Sequence, residues 1–110
     1  MLARLEALLE ESARARATLT YSQLATALEL TPPHTVHQTT ILLEALMRVH
    51  AEAGKPQLAS LVVSRARGGL PAPGYFAMLQ ELGVYAGSLA GDDARAFHAA
   101  QKLLCFEAMA

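Results

Sequence analysis

The stretch LASLVVSRARGGLPAPGYF, from Leu58 to Phe76, constrains the fold more than any other part of the chain. It opens as an apolar run that includes two adjacent valines, and such a run favours a strand. The run is broken by Gly68-Gly69, after which Pro71 and Pro73 confine any second strand to the edge of a sheet, because proline has no N–H to donate. We therefore predict a strand over residues 57–64 and a short β-hairpin.

The sequence before this stretch predicts three helices. Apolar residues recur on one helical face of residues 2–16. Thr18-Leu19-Thr20 is predicted to be a connector, and the capping box Thr20-Tyr21-Ser22-Gln23 opens a second helix that ends near Leu30. Thr31 and Pro32 are suited to cap and begin a third helix that runs to Ala53. A turn of about three or four residues between the second and third helices is typical of a helix-turn-helix.

Within the third helix, Val36, Thr40, Leu43 and Met47 are predicted to share one face. Because its first two turns are polar and its last turns apolar, we expect the N-terminal part to project outward and the C-terminal part to lie in the core. After the hairpin, Pro73-Gly74 precedes a fourth helix that carries Tyr75 and Phe76 into the core and ends at Gly83. Asp92 is suited to cap a last helix over residues 92–109.

These elements predict a single domain over residues 1–110, mainly α with a small β-hairpin. The expected architecture is a winged helix-turn-helix. Its core covers residues 18–82, and residues 2–16 and 92–109 form additional flanking helices.

Composition narrows the classes of protein. Hydrophobic residues make up 53% of the chain and charged residues 17%. One explanation for so little charge is the alanine content, because alanine counts as apolar but is well tolerated on helix surfaces. The other is that the protein is an oligomer or docks onto a partner. The single cysteine, Cys105, excludes an intrachain disulfide and is predicted to be a small buried apolar residue. Because Glu6, Glu10 and Glu11 interrupt the first helix, the start is not a signal peptide, and no run is long enough to span a membrane. We expect a cytoplasmic protein of bacterial type.

Two short segments carry side chains that suit nucleic acid. The start of the third helix is rich in hydrogen-bonding groups that read bases or hold phosphates. Lys55, Arg65 and Arg67 against Glu52 give residues 51–75 a net charge of +2, whereas the whole chain carries −1. The predicted contacts with double-stranded DNA are His34, Thr35, His37, Gln38, Thr39, Arg65 and Arg67. The alternatives are an ordinary solvated helix start and two arginines that discourage strand pairing.

No catalytic or metal-binding pattern is present in the sequence. His34 and His37 lie three residues apart, but a metal site needs three or four ligands and no local cysteine or carboxylate joins them. No glycine loop follows a strand in the order that a phosphate site requires. We therefore expect a protein that is not an enzyme and that has neither a metal nor a cofactor.

Several short motifs together resemble the winged-helix half of the DNA alkyltransferases and their alkyltransferase-like relatives. They are TYSQLATAL, TPPHTVHQ, LASLVV, a glycine-rich stretch and GYF, and the resemblance covers roughly residues 18–80. The family's Pro-Cys-His-Arg strand is absent. Ser64 stands near the position of the nucleophilic cysteine, Arg65 follows it, and no histidine comes after. The resemblance therefore implies DNA binding without alkyl transfer.

Two functions remain open from the sequence. The first is a DNA-binding regulator or architectural factor that uses the third helix and the hairpin. The second is a protein-interaction module, most simply a homodimer, on the same scaffold. The apolar first and last helices, including the stripe of Leu2, Leu5, Leu8 and Leu9, favour the second function.

Overall fold

One shared core positions the five helices, because each of them contributes at least one buried side chain to it. The computed structural model describes all 110 residues. In chain order the elements are α1 (Leu2–Arg14), β1 (Leu19–Thr20), α2 (Tyr21–Ala27), α3 (Thr35–Ala53), β2 (Val62–Val63), α4 (Pro73–Glu81) and α5 (Gly91–Ala108). Two 3-10 turns, Leu58–Leu61 and Arg65–Arg67, flank β2. The mainly α class is confirmed.

Helix α1 turns its apolar stripe towards the inside of the domain. Leu5 and Leu9 are fully buried, and Leu2 and Leu8 pack against the same core. The helix lies against the Leu58–Leu61 turn and α3. The leucine stripe of α1, which suggested an interface between subunits, therefore packs in the core of the same chain.

The capping box at the start of α2 is confirmed. The Gln23 N–H donates to Thr20 Oγ1 at 3.1 Å, and the Thr20 N–H donates to Gln23 Oε1 at 2.9 Å. The two bonds satisfy the N–H groups of Thr20 and Gln23, which have no hydrogen-bond partner within the helix. They fix the position where β1 passes into α2.

The connection between α2 and α3 is longer than predicted and covers residues 28–34. The predictions that Thr31 caps α3 and that Pro32 begins it are wrong, because the helix starts at Thr35, after His34 in a left-handed conformation (φ 63°). The Gln38 side chain donates to the carbonyl oxygens of Thr31 and Pro33, both at 2.9 Å. Gln38 therefore holds the connection onto the first turn of α3.

The predicted β-hairpin is wrong. Strand β2 pairs in parallel with β1, with Leu19 opposite Val62 and Thr20 opposite Val63, and these two strands form the whole sheet. Residues 18–20, predicted to be a connector, therefore contain a strand. Sequence patterns cannot show this pairing, because the partners lie far apart in the chain.

The glycine-rich stretch forms a closed loop in place of the second hairpin strand. The Ser64 N–H donates to the Leu70 carbonyl at 2.8 Å, and the Gly69 N–H donates to the Ser64 carbonyl at 3.1 Å. Beyond Leu70 the chain cannot continue as a normal ladder strand, since neither Pro71 nor Pro73 has an N–H. It enters α4 instead.

Helices α4 and α5 complete the core. Tyr75 and Phe76 are buried in α4, as predicted. Helix α5 begins at Gly91 after Ala90, and no side chain caps it. The prediction that Asp92 caps this helix is therefore wrong. Asp92 and Asp93 lie in the first turn, where negative charge is favourable near the helix N-terminus.

A chain of buried polar groups links α5, α4 and the turn before β2. His98 Nε2 donates to the Ser60 carbonyl at 2.7 Å, and the Ser60 hydroxyl bonds to the Tyr75 hydroxyl at 2.5 Å. Burial, with a smaller effect from Lys102, lowers the pKa of His98 below its usual value, although the bond to Ser60 opposes this change.

We expect acid to destabilise the protein through His98. The folded state holds this ring neutral at a pH where the unfolded chain already binds a proton. The contribution of His98 to the free energy of unfolding is fully present above about pH 6.5, and it is lost as the pH falls through the lower pKa of the folded state. Urea unfolding over a series of pH values measures the loss, which should be smaller in His98→Gln. The same decline in both proteins would contradict this role for His98.

Candidate nucleic-acid interface

An open groove lies where the two parallel strands end. It has a volume of about 480 Å³ and is lined by residues 20–23, Val36 and residues 63–65. We call it the strand-end groove. The carboxyl ends of parallel strands meet at one edge of a sheet, so the start of α2 lies beside Ser64 and Arg65. The first turn of α3 contributes Val36 to the lining.

Arg65 is the only charged side chain that lines the strand-end groove. It is exposed, and it takes part in neither of the two ion pairs of the protein, Arg4–Glu29 and Glu6–His50. No carboxylate lines the groove. Arg65 is therefore available to an anion such as a phosphate.

Arg67 is held by the protein itself. Its guanidinium donates to the carbonyl oxygen of Pro71 and, at 3.0 Å, to that of Leu89. It thus fastens the loop after β2 to the segment before α5. Arg65 and Arg67 lie in a 3-10 turn and not in a hairpin, so their side chains do not follow the alternation of a strand.

The five predicted contacts at the start of α3 divide into three groups. His34 and His37 are exposed. Thr35 is half-buried, and its carbonyl accepts a bond of 2.8 Å from the hydroxyl of Thr39, which is fully buried. Gln38 is occupied by the α2–α3 connection. The helix turns consecutive polar residues to different sides, so only part of the segment is free to contact a partner.

Val36 and the start of α2 belong to the groove but were not predicted as contacts. Val36 is 47% exposed, because the N-terminal part of α3 projects outward from the core, as expected. Ser22 is exposed beside it in the groove. Val36 could have been identified as a groove residue, because it is an apolar residue within a polar helix start. Nothing in the sequence distinguished Ser22.

Tyr21 forms part of the groove wall but has a structural role. Its hydroxyl accepts a bond of 2.8 Å from the Ala72 N–H, which ties α2 to the start of α4. Burial raises the pKa of Tyr21, although the hydrogen bond and the nearby Arg67 act in the opposite direction.

The groove contains no group that would activate Ser64. A serine becomes a nucleophile when a neighbouring base takes its proton, and the lining residues include no histidine, lysine or carboxylate. The other candidate nucleophile, Cys105, is fully buried, as predicted, and donates to the Gln57 carbonyl at 3.3 Å. Burial raises the pKa of the Cys105 thiol to about 11, so the reactive thiolate is suppressed.

No three histidine, cysteine or acidic side chains lie close enough together to hold a metal ion. None of the helices is both long enough and apolar enough to cross a membrane.

Neither a protein-family model, a curated protein nor a solved structure matches this chain. Its function is therefore inferred from the geometry of the groove.

The two arginines are expected to differ in their effect on stability. Arg67→Ala removes two hydrogen bonds from a charged donor and should lower the free energy of unfolding by about 1–3 kcal/mol. Arg65→Ala should change it by less than about 0.5 kcal/mol, since that side chain bonds to nothing. Urea unfolding of both variants measures the difference, and equal losses would show that the Arg67 bonds do not hold the loop.

Proposed function

We propose that this chain is a non-enzymatic module that binds double-stranded DNA, as a regulator or an architectural factor. The contacts would come from His34 and His37 at the start of α3 and from Arg65 across the strand-end groove. The observation that supports this most is the shared groove. Val36 of the first turn of α3 and a free arginine line it together, with His34 and His37 close to Val36 in the chain, and no acidic residue lies in the lining to repel phosphate.

The order α2, connection, α3 also supports the proposal. In helix-turn-helix proteins the second helix presents its N-terminal residues to base edges in the major groove. Here that part of α3 presents His34 and His37, with Val36 between them. Histidine offers hydrogen bonds, and an exposed valine offers the apolar contact that suits the methyl group of thymine.

The proposed contact with the phosphate backbone is small. For each phosphate that a protein neutralises, the binding constant falls by about 0.9 logarithmic units when the salt concentration rises tenfold. With Arg65 as the one free cation of the groove, the salt dependence should be shallow. Affinity should be modest and should depend largely on the contacts from α3.

Arg65→Glu should weaken DNA binding at least about tenfold, because a charge-assisted bond to phosphate is replaced by repulsion. Fluorescence anisotropy of a labelled duplex, titrated at low and then moderate salt, measures this effect. Arg95→Glu is the matched control. It makes the same charge change at an exposed arginine of α5 that does not line the groove, and its binding should fall much less.

Absence of binding at low salt with tens of micromolar protein would refute the DNA proposal. Equal losses in Arg65→Glu and Arg95→Glu would instead show that only overall charge matters, and the strand-end groove would then not be the interface.

A homodimer or a partner protein on α5 is the second candidate function. Leu103 and Leu104 are 52% and 48% exposed, and the neighbouring Ala99 and Ala100 are also exposed. Exposed leucines next to small residues suit close helix packing. Since the stripe of α1 is buried, α5 supplies the apolar surface for this candidate.

If α5 forms the dimer, light scattering after size exclusion should give twice the mass of one chain. The double variant Leu103→Ser with Leu104→Ser should then elute as a monomer, because it removes the apolar surface. The corresponding change at Val49, an exposed valine of α3, serves as the control. A monomer at high concentration of the unaltered protein would rule out the homodimer.

A further inference from the structure

Four exposed residues of α5 follow one another at every fourth position, so they form one ridge along the surface of the helix. We call them the α5 ridge: Arg95, Ala99, Leu103 and Glu107. The ridge has a cation at one end and an anion at the other, with a small residue next to the cation and a large apolar residue next to the anion. Because a helix rises about 1.5 Å per residue, the two charged ends lie about 18 Å apart.

The charged ends of the α5 ridge have no partner within the chain. Neither of the two ion pairs of the protein includes Arg95 or Glu107. The two residues are also too far apart on one straight helix to reach each other. Each is therefore free to pair with an opposite charge on another molecule.

The middle of the α5 ridge is apolar and uncovered. Leu103 is 52% exposed, and Ala99 is exposed one turn before it. The adjoining row repeats this order, since the exposed Ala100 is followed one turn later by Leu104, which is 48% exposed. Both rows thus place the small residue nearer the start of α5 and the leucine nearer its end.

A second copy of the α5 ridge fits the first when the two run in opposite directions. Ridges of every fourth residue interdigitate when two helices cross at about 50°, the commonest packing in globular proteins. In the antiparallel arrangement Arg95 lies beside Glu107 of the second copy, and Leu103 lies beside Ala99 of the second copy. Two-fold symmetry produces each of these contacts twice. A parallel arrangement would place each charge against an identical one.

We infer that α5 binds a second copy of this chain along the α5 ridge, as an antiparallel two-fold pair with two Arg95–Glu107 ion pairs around Leu103 and Ala99. This inference rests on the second candidate function, the homodimer on α5, and specifies its partner and its register. An unrelated partner would need the same order of charge and size in reverse, whereas a copy of the chain has that order already. The α5 ridge shares no residue with the strand-end groove.

The test is light scattering after size exclusion of two single variants, Arg95→Glu and Glu107→Arg, over a range of protein concentrations. Each variant places like charges against each other at both ends of the pair. Each should therefore raise the dissociation constant of the dimer at least about tenfold. An equimolar mixture of the two variants should recover the dimer of the unaltered protein, because every new charge then faces its opposite on the other chain.

Arg48→Glu and Glu52→Arg are the matched controls. They make the same two charge changes at exposed residues of α3, outside the α5 ridge. Both should dimerise like the unaltered protein, alone and when mixed. Recovery in the mixture of ridge variants also separates loss of pairing from loss of the fold, because unfolded variants would not regain a dimer on mixing.

A dimer that persists unchanged in both ridge variants would overturn the inference while leaving the homodimer on α5 in place. Equal losses in the α3 controls, or no recovery in the mixture, would overturn it as well. A monomer of the unaltered protein at high concentration would refute the inference and the homodimer together. DNA binding by Arg95→Glu is compared at a concentration where light scattering gives this variant and the unaltered protein the same mass, so that the two results are read separately.

Discussion

The parallel pairing of Val62 and Val63 with Leu19 and Thr20 determines how the rest of the domain is arranged. It brings the start of α2 beside the loop that follows β2, although the two segments are far apart in the chain. Because both strands run in the same direction, their carboxyl ends meet at one edge. That edge becomes the strand-end groove, and Val36 of α3 contributes to its lining. Without the pairing, Arg65 and α3 would have no reason to share a surface.

Short polar side chains and one arginine keep this arrangement in place. The capping box fixes the start of α2, Gln38 holds the α2–α3 connection, and Arg67 fastens the loop after β2 to the carbonyl of Leu89. The interactions share one feature, which is that a side chain satisfies backbone groups that have no partner in a helix or strand. Gln38 and Arg67 were predicted to contact DNA, but both bond to backbone carbonyls within the domain. Arg65, His34 and His37 make no such bonds.

The net charge of the chain is −1, but the charged side chains are distributed unevenly between its concave surfaces. The strand-end groove has an arginine and no carboxylate, whereas a second cavity, between α1 and α5, has two carboxylates and one lysine. Neither site contains an activated nucleophile, since Ser64 has no base beside it and the Cys105 thiol is buried.

The sequence by itself determined that there are five helices, although not where α3 begins or how α5 is capped, because most helix signals are local. The capping box, the apolar periodicity of α1 and the Pro-Gly start of α4 each act within a few residues of one another. Of the predicted contacts, His34, His37 and Arg65 are exposed. Only the tertiary structure decided that β2 pairs with β1 instead of forming a hairpin, that Thr39 is buried and that Arg67 is bonded to the backbone. These outcomes depend on partners distant in sequence, and local propensity contains no information about which distant segment a strand or side chain will meet.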